Sequence, residues 1–225
     1  INTFSVDRDS DDFKELYKSI ERFGVREPVI ARFGKDGELE IISGQRRHLI
    51  ASELNYPVPT IIQQLDDNDA RILVADGNLH REHILPSEKA FAYRMKLEAM
   101  SRQGHRSDLT SDQLGRKLET AEIIAQQSDD SKSQVRRYIR LTYLIPEFLE
   151  KMDKGEIALS VGVELSFLDE QSQREVLEQC EMNDCTPSYS QAWRMHKADR
   201  EGTLTTAVIQ TVMSEEKANQ RETVK

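Results

Sequence analysis

The sequence predicts an α+β chain in which a small sheet-bearing amino-terminal part precedes an all-helical remainder. Three observations predict it. Strand-like runs, at 28–33, 39–42 and 58–64, are confined to the first 64 of 225 residues. From Pro86 onward apolar residues recur at spacings of three and four with few aromatics, the period of amphipathic helices. A content of 37% hydrophobic and 32% charged residues, with a mean hydropathy of −0.64, describes a polar but regularly patterned chain. Its length allows it to bury roughly 70% of its extended surface.

Taken in order, residues 12–23 place Phe13, Leu16, Tyr17, Ile20 and Phe23 on one helical face, and Gly24 ends the run. Pro28-Val29-Ile30-Ala31-Arg32-Phe33 reads as a strand, Lys35-Asp36-Gly37 as a hairpin turn and Leu39-Glu40-Ile41-Ile42 as the returning strand. A helix is expected over 48–54, a strand over 58–64 with a proline at its start, and a helix over 67–74. Pro86-Ser87-Glu88 opens a further helix through Phe91, Met95, Leu97 and Met100. The polar stretch 101–112 reads as a loop, followed by short helices at 112–117, 120–127, 131–143, 146–153, 160–168, 170–181 and 187–199. This divides the chain into an amino-terminal domain at 1–85, a connecting helix and loop at 86–111, a helical domain at 112–200 and a terminal helix or tail at 201–225. The end from Ser214 is expected to fray or to lead into a further segment, and no internal repeat is present. The first residue is Ile1, so the sequence is expected to be a fragment or a processed product.

Several function classes are excluded at this level. No apolar run approaches the roughly 18 residues that cross a bilayer, and the first residues lack a basic region followed by an apolar stretch. Cys180 and Cys185 are the only cysteines, too few for a disulfide framework or a four-thiolate zinc site, and they read as free thiols in a reducing compartment. Net charge is −9, against any whole-surface attraction to nucleic acid. Between Arg94 and Tyr143, however, ten Lys or Arg face seven acids, a local +3 that leaves −12 on the remainder. Such a basic middle fits a polyanion site or a helix with one solvated basic face.

Three constellations carry chemistry. In Ser43-Gly44-Gln45-Arg46-Arg47 a glycine turn between strand and helix permits close backbone approach, the helix start offers unpaired N–H groups, and two arginines add forked donors for phosphate. A surface arginine pair at a helix start would be spelled the same way. In Asp76-Gly77-Asn78-Leu79-His80-Arg81, Asn78 and Asp76 are oxygen ligands suited to Mg²⁺ and Arg81 is a phosphate donor; an ordinary turn with surface histidines is the plainer reading. No paired-histidine spacing supports zinc. The third runs from Ala121 to Leu141, where Ala125, a turn near Asp129 and apolar Val135 match a helix-turn-helix at 121–141. Ser131 is a good N-cap for its second helix; Ser133, Gln134 and Arg137 lie where side chains read base edges, and Lys132, Arg136 and Arg140 suit phosphates. Any basic helical hairpin shares this pattern.

Together, and in this order, the three constellations resemble the ParB family of DNA-partition proteins. The family's G-E-R-R motif is matched by Gly44-Gln45-Arg46-Arg47 with Ala51. Its E-N-x-Q-R and P-x-E-x-A motifs are matched by Gly77-Asn78-Leu79-His80-Arg81 and Pro86-Ser87-Glu88-Lys89-Ala90. Upstream, Ser19-Ile20 and Gly24-Val25-Arg26-Glu27-Pro28-Val29-Ile30 resemble the segment that opens the family's nucleotide domain, and the likeness covers about residues 16–168.

The resemblance implies a sulfiredoxin-like α+β domain with a small mixed sheet that binds CTP and Mg²⁺, coupled to a helical domain that binds a palindromic site in double-stranded DNA. It implies a homodimer that closes as a clamp, a ParA-type ATPase partner, and a cytoplasmic protein on nucleoid or plasmid. By the same analogy Gly44, Gln45, Arg46, Arg47, Asn78 and Arg81 hold the nucleotide, and Asn78 the metal. Two family carboxylates are absent, replaced by Gln45 and Gly77, which favours CTP binding over hydrolysis and leaves Asp76 as the local candidate for a catalytic base. Nothing after Glu201 looks large enough for a carboxy-terminal dimerisation domain. The alternatives are a repressor on the same scaffold with a vestigial nucleotide pocket, and a sulfiredoxin-like or nuclease-like enzyme. The enzyme reading is disfavoured because both cysteines lie far downstream of the phosphate turn.

Overall fold

The computed structural model describes residues 6, 8–81, 83–103 and 113–215. In chain order they form α1 (Asp11–Phe23), β1 (Val29–Phe33), β2 (Leu39–Ser43), α2 (Gln45–Glu53), β3 (Thr60–Ile62), α3 (Asp67–Leu79), α4 (Pro86–Gln103), α5 (Gln113–Gln126), α6 (Lys132–Leu141), α7 (Pro146–Asp153), α8 (Leu159–Leu165), α9 (Glu170–Met182), α10 (Tyr189–Arg200) and α11 (Thr206–Ser214). The described residues fall into two compact units, one drawn from 1–82 and 95–120, the other from 83–94 and 121–225. The chain is α+β.

In the first unit, Ser10 Oγ caps α1 by accepting from the Phe13 amide, and Asp11 and Asp12 oppose the helix dipole in its first turn. Phe13 and Ile20 on its inner face pack with Ile50 of α2. The three strands form a mixed sheet in the order β2-β1-β3, with β1 antiparallel to β2 and parallel to β3. Phe33 faces Leu39 and Ala31 faces Ile41, but the register then slips so that Ile30 faces Ser43. This bulge re-aims the end of β2 immediately before the Gly44 turn. Ile42 packs with Ala70 and Val74 of α3, and Ile30, Leu65 and Met95 complete that small core. Arg32 is buried, and its charge is met by Glu40 at 2.9 Å, Asp67 at 2.7 Å and the Leu65 carbonyl at 3.1 Å.

The second unit is helical throughout its described residues. Leu141, Phe148, Leu165, Val176, Met195 and Ile209 are buried in one core, which Ala90 of α4 joins. Gly162 lets α8 approach its neighbours: a Cβ there would stand 2.3 Å from Met152 Cε and 3.2 Å from Leu141 Cδ2.

Several boundaries differ from expectation. α2 starts at Gln45 rather than 48, because Gly44 takes the left-handed φ of 92° and serves as N-cap. α3 continues to Leu79 instead of stopping at 74, since Ala75 and Asn78 remain on its buried face. The segments expected as separate helices at 112–117 and 120–127 are one helix, α5, with neither Pro nor Gly between 117 and 120. α4 is continuous to Gln103 and contributes residues to both units, while 104–112 lies outside the described residues. Of the terminal helix or tail expected at 201–225, Thr206–Ser214 is helix, with Ile209, Val212 and Met213 in the second core; the residues after Glu215 lie outside the described ones.

Candidate functional site

The first constellation is a helix start shaped by its backbone. Gly44 holds φ 92°, and a Cβ there would stand 2.8 Å from Val29 Cγ1 and 3.1 Å from Arg47 Nη2, so only glycine fits the turn. No side chain caps α2, and its first helical bond runs from the His48 amide to the Gly44 carbonyl. The amides of Gln45, Arg46 and Arg47 therefore open the helix as donors outside its own bond ladder. Arg46 Nε is buried with no hydrogen-bond partner among the described residues. Arg47, half-buried rather than on an open turn, donates Nη1 to the exposed Glu27 carboxylate at 2.8 Å. Gln45 faces a hollow lined by Leu39, Ile41, His48 and Leu49, which neither arginine lines.

The second constellation is the last turn of α3. A Cβ built on Gly77 lies 3.9 Å from Ser43 Oγ, so this turn is brought beside the start of α2. Asn78 is buried; its Nδ2 donates to the Val74 carbonyl at 2.7 Å, while its Oδ1 is buried without a hydrogen-bond partner. An orphaned amide oxygen beside a phosphate-receptive helix start fits a hard cation that takes its other ligands from phosphate and water. Among the described residues no group of three or more His, Cys, Asp or Glu could hold a metal unaided. Asp76, expected as a stand-in base, is instead bound at 2.7 Å to Lys96 Nζ, whose side chain is only 5% exposed. A carboxylate neutralising a buried ammonium is a structural partner rather than a poised base. His80 caps the helix, its Nδ1 2.7 Å from the Asp76 carbonyl, and the Arg81 amide donates to the Asn78 carbonyl at 3.2 Å.

The third constellation is two helices, α5 and α6, joined by a turn at 127–131, with Ile124, Val135 and Leu141 buried between them and the core. Ser131 and Gln134 form a capping box: Ser131 Oγ accepts from the Gln134 amide, and Gln134 Oε1 accepts from the Ser131 amide at 3.0 Å. The turn is pinned by Asp130, which accepts from the Tyr93 hydroxyl at 2.6 Å and pairs with Lys89 Nζ at 2.5 Å. Burial, then the bond to Asp130, raises the Tyr93 pKa far above its ordinary value. Lys89 belongs to the Pro86–Ala90 motif, whose contribution here is to hold this turn.

On the outer face of α6, Ser133, Gln134 and Arg136 are exposed and Arg137 is half-buried. Two of the expected phosphate contacts are otherwise engaged. Lys132 pairs with Glu122 of α5, which holds that carboxyl below its ordinary range. Arg140 turns back, donating Nε to Ser166 Oγ at 3.1 Å and Nη2 to the Ser166 carbonyl at 2.6 Å, and burial lowers its pKa. Gln134 spends its amide oxygen on the cap and keeps only its amino group for a ligand. Beside this face, Val163 and Phe167 form an apolar wall of the same groove that Arg136 and Arg137 line. Sequence reading missed that wall, together with Glu27, Lys96 and Asp130. Each lies 20 or more residues from the group it meets, and no local pattern links them.

A family model described as the ParB N-terminal domain matches residues 4–79. Over 170 residues the chain is 31% identical to the chromosome-partitioning protein Spo0J of Thermus thermophilus, covering 73% of this chain and 56% of that one. Over 91 residues it is 35% identical to a nucleoid occlusion protein of Geobacillus sp., covering 40% and 32%. Among solved structures it is similar, at 20% identity and a TM-score of 0.47, to the C-terminally truncated chromosome-partitioning protein ParB from Caulobacter crescentus complexed to the centromeric parS site, over 95% of this chain and 90% of that one. The chain spans from a third to just over half the length of these curated relatives. With a ParB N-terminal domain at its start and a likeness to partition and nucleoid occlusion proteins that extends well past it, the chain belongs to the ParB family.

Proposed function

We propose that the chain is a partition protein that docks α6 in the major groove of a specific, palindromic duplex and uses CTP, with Mg²⁺, as a switch that closes a homodimer as a clamp. The observation that carries the DNA reading is the outer face of α6. It is a fully capped helix, anchored by buried Val135 and Leu141, that presents Ser133, Arg136 and Arg137 outward in a chain of net charge −9. A basic face kept against an acidic whole fits a polyanion engaged locally. The nucleotide reading rests on the uncapped start of α2, the buried Arg46 Nε and the orphaned Asn78 Oδ1. Arg46, Arg47 and Arg81 would hold phosphates, and Asn78 Oδ1 would be a ligand of the metal, which would supply positive charge against the phosphates. A ParA-type ATPase as partner and a place on nucleoid or plasmid follow from the family reading.

One observation favours the repressor alternative. Arg47, a charged group of the nucleotide site, already has an internal partner in Glu27. A CTP titration by calorimetry with and without a palindromic duplex separates the two. CTP binding that tightens on cognate DNA supports the switch; sequence-specific DNA binding without any CTP heat supports the repressor; neither signal removes both.

A further inference from the structure

The groove beside α6 has a basic wall, from Lys132, Arg136, Arg137 and Arg140, and an apolar one, from Val163 and Phe167. Phe167 is 41% exposed, yet its ring is held by two stacked neighbours. His196 stacks on it at 4.1 Å between centroids and 2° between planes, and the Arg140 guanidinium lies 4.1 Å from the ring centre. Both groups press on the ring and hold it in place while part of it stays open to solvent. The clamps are themselves fixed, Arg140 by Ser166 and His196 by Glu164, whose Oε2 lies 2.7 Å from His196 Nδ1. An exposed aromatic immobilised in this way loses little entropy when a ligand meets it.

The geometry points to Phe167, with Val163 beside it, as the contact for the 5-methyl group of a thymine in the duplex held by α6; this inference rests on the DNA-binding reading above. Among the four bases only thymine carries a methyl group into the major groove. A rigid apolar surface next to guanidinium donors rewards that group and offers nothing to a phosphate oxygen. The same placement gives Arg140 a role: it supports the reading ring.

The test uses the whole chain and a duplex selected from a randomised pool. Each thymine is replaced in turn by uracil, which lacks only the methyl group, and binding is followed by fluorescence anisotropy. At one position in each half-site the wild-type chain is expected to bind the uracil duplex about fourfold more weakly, the worth of one buried methyl group. Phe167→Ala should bring that ratio to about one, and Phe167→Leu to an intermediate value. Melting by circular dichroism checks that both variants fold, and the Leu variant carries the comparison if the Ala variant does not. Equal thymine and uracil binding at every position in the wild type, or a ratio unchanged by the Phe167 substitutions, overturns the inference while leaving sequence-specific binding intact. Failure to select any duplex overturns the DNA reading itself.

Discussion

Charged residues in this chain are divided between those that hold the fold and those left for a ligand. Arg47 is poised between the two, because its partner Glu27 is 82% exposed and easily displaced. Replacing Glu27 with Gln should tighten CTP binding about threefold by releasing the guanidinium. Arg47→Ala should weaken it at least about tenfold, the worth of one charge-assisted bond, both read by calorimetry. Asp76 belongs to the fold: Asp76→Ala strands the buried Lys96 ammonium and should cost about 2–4 kcal/mol in urea denaturation, most of it regained in the double variant with Lys96→Met. On α6, Arg137→Ala should weaken specific DNA binding by about 1–3 kcal/mol with an unchanged melting temperature. Arg140→Ala should instead lower the melting temperature, because Ser166 loses two donors and Phe167 loses one of its clamps. The sequence alone put Arg137 at base edges and Arg140, one turn later, at phosphate, which left both free for DNA. Ser166, the partner that distinguishes them, is 26 residues away and invisible to local pattern.

At the scale of elements, periodicity located almost every helix and strand, since apolar spacing reports burial directly. What it misplaced were ends. Gly44 reads as a flexible turn but acts as the N-cap of α2, and Asp76-Gly77-Asn78 reads as a turn but is helix because Asn78 is buried and bonded back to Val74. Both errors fall at the candidate nucleotide site, where local preference and tertiary context disagree. Gly162 shows the same limit from the other side: nothing near it in sequence marks it, yet it is where α8 meets Met152 and Leu141. Gly162→Ala puts a methyl group 2.3 Å from Met152 Cε, the movable end of a flexible side chain, and within 3.2 Å of Leu141 Cδ2. The gain in helix propensity is smaller than the repacking cost, so a net loss of about 1–2 kcal/mol is expected in thermal denaturation. Because Leu141 is the last residue of α6, DNA affinity should fall with it, and more than the change in stability alone requires.

For the whole molecule the decisive quantity is the balance of 40 acids against 31 Lys and Arg. Near neutral pH the excess acid works against any general attraction to nucleic acid, so the proposed binding has to be local to the α6 face. On acidification the balance inverts, leaving a strongly cationic chain under self-repulsion. A second contribution to acid lability is local. Hydrogen bonds from Lys35, and then from Arg32, hold Asp67 down to about 2 from an ordinary 3.8. A carboxyl with a lowered folded-state pKa stabilises the fold above its unfolded pKa, and that contribution is lost as pH falls from about 4 through 2. The two contributions respond differently to salt. General repulsion is screened at 0.5 M salt, whereas the ion pair to Arg32, whose side chain is 7% exposed, is screened far less. Urea midpoints measured between pH 5 and 2 should therefore fall in both low and high salt, with only part of the loss restored by salt. In Asp67→Asn the midpoint should start lower at pH 5, and the part of the decline that salt does not restore should shrink. A salt-resistant decline of the same size in Asp67→Asn would assign the acid lability to other carboxylates.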